Sequence, residues 1–132
     1  MNILLITHSH LRWLVLLVAV AAVVKFAIGW LRGGEFKGMD RGLAAATSGM
    51  IDLQATLGLI LMIWTGLAGV GFPMFRIEHA TTMIIAAVVA HLPARWKNAA
   101  DKVRFRNTLF CILGALLLIY VGVMRLPGGW SR

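Results

Sequence analysis

The sequence predicts an all-α fold, an integral membrane four-helix bundle formed by one domain, residues 1–132. Composition is the first reason. Hydrophobic residues make up 60% of the chain, charged residues 14%, and the mean hydropathy is +0.84. A soluble domain is about half apolar and a quarter charged. The second reason is that four stretches, about 10–31, 43–71, 77–94 and 107–126, are mostly apolar. Each is near the roughly 20 residues that cross a bilayer at 1.5 Å per residue. The third is the way basic residues alternate between the connections.

The first stretch opens on T-H-S-H-L-R-W, Thr7 to Trp13, and runs apolar to Leu31. No basic residue precedes it, so it reads as a helix of the mature protein rather than a cleaved leader. R-G-G-E-F-K-G-M-D-R then makes a Gly-rich charged connection. The second stretch is the longest and is expected to tilt or project from the hydrocarbon. G-V-G-F-P-M-F-R supplies a tight loop. The third stretch is the shortest and stops at Pro93. P-A-R-W-K-N-A-A-D-K-V-R-F-R, an amphipathic turn on the membrane surface, leads into the fourth.

Arg32, Lys37, Arg41, Arg95, Lys97, Lys102, Arg104 and Arg106 fall in the first and third connections; Arg12, Arg76, Arg125 and Arg132 fall on the other side. The positive-inside rule therefore expects loops 32–42 and 93–106 in the cytoplasm of a bacterial inner membrane, with both termini on the outer, periplasmic side. Trp13, Trp30, Trp64, Trp96 and Trp130 lie near span ends, where aromatic belts sit. The same rule accounts for the net charge of +8 without nucleic acid as a partner. Cys111, the single cysteine, has no internal disulfide partner and reads as a small core residue.

This orientation sorts the polar residues by depth. His8, His10, Arg12, Glu78 and His79 share one level near the outer face, with Tyr120 close by. Lys25, Asp52, Gln54 and His91 form an inner group. An ionisable group in a span costs about 2.5–3.5 kcal/mol at the helix centre, so each is expected to face the bundle and find a partner. Members of the outer group can serve as interfacial trim. Lys25 or His91 can neutralise Asp52, with Gln54 as interhelical glue; alternatively the inner group forms a proton relay or a quinone headgroup site.

Two imidazoles at one depth on two helices suit a b-type haem. His8 or His10 with His79 would supply its axial ligands. Ala19, Ala22, Ala86 and Ala90 would leave an apolar slot, and Arg12, Arg76 or Arg125 would meet the propionates. No C-x-x-C-H motif is present, so such a haem would be non-covalent. Zn or Cu on the same imidazoles, completed by Glu78, is the alternative. His91 lies 12 residues beyond His79, about 18 Å along the axis, and cannot share its centre. The small residues of the second stretch, Ala45, Ser48, Gly49 and Ala55 around Asp52 and then Gly58, permit close helix approach.

These motifs resemble those of small bacterial four-helix membrane proteins labelled cytochrome b-like. The matching residues are His8, Ser9, Leu11, Arg12 and Trp13; Asp52, Leu53, Gln54, Gly58 and Leu59; and Glu78, His79, Met83, Ala90 and His91. The resemblance implies haem b, bis-histidine ligation and electron transfer, and it favours His8 over His10.

The sequence thus reads as a small electron-transport subunit that binds one haem b through His8 and His79, with Arg12 near a propionate. His91 would serve a second centre only with an imidazole from another chain. The rival reading is a cofactor-free accessory subunit of a larger respiratory or photosynthetic complex. Partners under either are the lipid bilayer and other membrane subunits or further copies of the chain. The sequence holds no nucleophile–base set, phosphate loop or metalloprotease pairing, so a redox-active chain would carry electrons rather than catalyse alone.

Overall fold

The computed structural model describes residues 2–129, and all regular structure within them is helical. The helices are α1 (Asn2–Arg32), α2 (Gly38–Thr65), α3 (Met74–His91) and α4 (Asp101–Met124). A π-helical turn, Gly66–Val70, follows α2, and a 3-10 turn, Leu92–Trp96, follows α3. All four helices are long and apolar enough to cross a membrane. They pack in a ring, α1 on α2, α2 on α3, α3 on α4 and α4 on α1, which is up-down-up-down bundle topology. One end, the terminal end, carries the start of α1, the α2–α3 turn and the end of α4. The other is the basic end. Trp130 and Arg132 lie outside the described residues.

Each helix starts ahead of its apolar stretch. α1 is already helical at Asn2, so T-H-S-H lies within it. His8 and His10 therefore diverge by about 200° around the axis. α4 starts at Asp101 and takes in Lys102, Arg104 and Arg106. α3 ends at His91, where Leu92 N–H bonds to the Val89 carbonyl in 3-10 fashion and Pro93, which has no N–H, cannot extend the α-helical ladder; Pro93 sits in the first turn of the 3-10 segment.

The difference in helix length divides the interior. α1 has 31 residues and α3 only 18, about 46 Å against about 27 Å. Where all four helices overlap, Val15, Ile51, Ala86, Ala90, Ala115 and Ile119 form one core. Towards the basic end α3 is absent, and a second core joins Phe26, Phe105, Leu109 and Ile112 to Leu43 and Ala44 of α2. Phe36, from the α1–α2 connection, completes it, with ring centroids 5.9 Å from Phe26 and 5.0 Å from Phe105. The guanidinium of Arg104 covers Phe36 at 4.0 Å, a cation–π lid on the aromatic cluster.

Each end is tied by a charged side chain. Asp40, 1% exposed, accepts a hydrogen bond from the backbone N–H of Lys37 at 2.9 Å and one from Lys25 Nζ at 2.9 Å. One carboxylate thus caps α2 and clamps it to α1. Lys25, grouped by depth with Asp52 in the sequence, has Asp40 as its partner.

At the terminal end, Gly69 (φ 126°) and Gly71 (φ 77°) allow the α2–α3 reversal. Arg76 donates to the carbonyls of Gly71 at 2.9 Å and Met62 at 3.2 Å, and to Thr65 Oγ1. It thereby ties the turn at Gly71 back to the last helical turn of α2. Arg76→Gln should lower stability by about 2 kcal/mol, the scale of losing charged hydrogen bonds. Denaturant unfolding in detergent reads this, and a loss under about 0.5 kcal/mol would show that the glycines alone hold the turn.

Candidate functional site

Between the four-helix core and the terminal end the bundle is hollow. A cavity of about 540 Å³ lies between the helices near the terminal end, within the roughly 300–1,000 Å³ range of small-molecule sites. Helical spacing decides what faces it. From α1 come His8, Arg12 and Val15, at i, i+4 and i+7; from α2, Gln54 and Gly58; from α3, Arg76, His79 and Met83. Ile119 and Val123 of α4 close the far side.

His79 is held by α4. Its Nδ1 lies 2.8 Å from the carbonyl oxygen of Gly122. A carbonyl only accepts, so Nδ1 carries the proton, and in the neutral ring Nε2 has the lone pair. His8 packs edge-on against α2. A Cβ built on Gly58 would lie 2.9 Å from His8 Cε1 and 3.4 Å from Nε2, so only glycine admits the ring there. Both imidazoles line the same cavity.

Gln54 belongs to this site. Its Nε2 donates to the backbone carbonyl of His8 at 2.6 Å. Gln54 Oε1 and His8 Nδ1 are both buried without a hydrogen-bond partner among the described residues. They are complementary: a proton on Nδ1 is the donor that Oε1 lacks, and it would leave the lone pair of His8 on Nε2, as in His79.

The other outer residues separate. Arg12 lines the cavity with its guanidinium 4.7 Å from the Trp13 ring centroid. His10 is exposed, its Nδ1 3.1 Å from the Ile6 carbonyl of its own helix. Glu78, named in the sequence as a possible ligand, pairs instead with Arg125 at 3.6 Å and does not line the cavity; nor does Tyr120, half-exposed on α4. The alanine slot is absent as well: Ala19, Ala22 and Ala86 are fully covered by neighbouring helices. They bring backbones together, and the hollow opens nearer the terminal end.

The inner group is broken up. Gln54 leaves it for His8 and Lys25 for Asp40, so Asp52 and His91 remain. His91 Nε2 is 2.6 Å from Asp52 Oδ2, on the outer face between α2 and α3. Among the described residues, no cluster of three or more His, Cys, Asp or Glu side chains is placed to hold a metal ion. A zinc or copper shell supplied wholly by protein therefore has too few donors. Two imidazoles lining one cavity are instead a donor pair that a metal bringing its own macrocycle would need. No protein-family model, curated protein or solved structure matches the chain.

Proposed function

We propose that this chain is a small electron-carrying membrane subunit that holds one non-covalent haem b in the cavity, with His8 and His79 as axial ligands. The observation that carries this reading is the bond from His79 Nδ1 to the Gly122 carbonyl. It orients the ring and reserves Nε2, as second-shell acceptors do for metal-bound histidines. Gln54, held at His8 by the bond from its Nε2 to the His8 carbonyl, would offer Oε1 as the corresponding acceptor for His8 Nδ1–H. Val15, Ile51, Met83 and Ile119 make much of the wall apolar, and Arg12 on the same wall would meet haem carboxylates. When bound, the haem iron supplies reversible one-electron chemistry. The chain's part is to orient two imidazoles and set the polarity around them.

The resemblance of H-S-x-L-R-W and E-H-x-x-x-M to cytochrome b-like proteins points the same way. The distribution of basic residues supports a bacterial inner membrane, with loops 32–42 and 93–106 cytoplasmic and both termini periplasmic.

A reduced-minus-oxidised absorption spectrum with a pyridine haemochrome assay tests this. The expected result is a b-type spectrum at about one haem per chain, since one such histidine pair is present. His79→Ala and His8→Ala should each lose it while the protein still inserts; His10→Ala and Glu78→Gln should keep it. A featureless spectrum from folded protein supplied with haem would overturn the reading and leave a cofactor-free accessory subunit.

A further inference from the structure

We infer that the groove between α2 and α3 beside Asp52 and His91 binds the ring of a lipid-soluble quinol. The pair is hydrogen-bonded at 2.6 Å, yet the His91 and Asp52 side chains are 55% and 45% exposed. Both lie within candidate spans and face outward. Ionisable groups at such positions are costly and usually serve a function. The groove beside them, about 430 Å³, is lined by Ala55, Ile84, Ala87 and Val88, with Arg95 at its basic-end mouth.

Chemistry narrows the occupant. A ligand arriving sideways from acyl chains must be apolar, and a flat ring suits a groove walled by alanine, valine and isoleucine. With His91 Nε2–H donating to Asp52 Oδ2, the remaining carboxylate oxygen and the neutral ring's Nδ1 are both acceptors. A molecule presenting hydroxyl donors at the edge of an apolar ring, a quinol, complements them.

Ala55 and Ile84 line both the groove and the two-histidine cavity. A ring in the groove is thus separated from the cavity by a single layer of side chains. Any use of that proximity for electron transfer rests on the haem reading; the binding site itself does not.

The test is calorimetric titration of decylubiquinol into the full chain in lipid nanodiscs, with helicity checked for every variant. Saturable binding is expected, weakened about tenfold by Asp52→Asn and by His91→Gln, the effect of losing one charged hydrogen bond. Val88→Trp, at an exposed groove position away from the polar pair, should abolish it. His79→Ala should leave it unchanged, and haem content is read separately by absorption. Absence of saturable binding, equal affinity across the groove variants, or loss in His79→Ala would overturn the proposal. A change of oligomeric state in Val88→Trp without quinol binding by the parent protein would also overturn it, making this face a contact between copies.

Discussion

Gly58→Leu is expected to abolish haem absorption while the four helices remain inserted. Even a methyl group at Gly58 would stand 2.9 Å from His8 Cε1, closer than carbon atoms approach without displacement. The ring lies on the α2 backbone, and α2 is anchored by Gln54 on one side and the Arg76-tied turn on the other. The imidazole therefore has to yield. Gly58→Ala should weaken haem retention by about 10–100-fold, the range seen when a metal ligand loses its orientation. Leucine should leave no bound haem. Soret absorbance per chain at matched helicity is the measurement. A full complement of haem in the leucine variant would remove His8 from the ligand set.

Asp40→Ala should have the largest effect on stability. It deletes an N-terminal cap, worth about 1 kcal/mol, and a charge-assisted bond from Lys25 worth about 1.5–3 kcal/mol. Lys25 is 41% exposed, so solvent recovers part of the second loss. A destabilisation of about 2–3 kcal/mol is expected on these grounds. Asp40→Asn, which keeps an acceptor for the Lys37 N–H, should cost less. Reversible unfolding in mixed micelles measures both. Equal stability of Asp40→Ala and the parent would show that the aromatic core alone joins α1 to α2 at the basic end.

The helices were legible because lipid imposes an apolar run on anything that crosses it. Their ends were not. Hydropathy falls where Thr7, Ser9, Lys102 and Arg104 begin, but backbone hydrogen bonding continues through them. Depth was also legible, since antiparallel helices of known direction carry residues to computable levels; this is how His8 and His79 come together on paper. Facing was harder. Asp52 and Gln54 share a depth, yet two residues of helix turn them to opposite sides, one to the groove and the other to His8. Depth alone cannot separate such neighbours. Asp40 was hidden inside a connection that reads as loop, although an acid three residues after Lys37 is the spacing of a first-turn cap. The closeness of Gly58 to His8 had a faint signal, its position four residues after Gln54.

The two cores bear on the order in which such a protein is made. The aromatic half draws only on α1, α2, α4 and their connection, and its side chains fill their own space. It is a keel that can set during membrane insertion with no ligand present. The cavity then stands open. On the proposal that it holds haem, protein made in a cell short of haem should persist and be charged later. Adding hemin to purified, helical apoprotein should restore the spectrum without a refolding step.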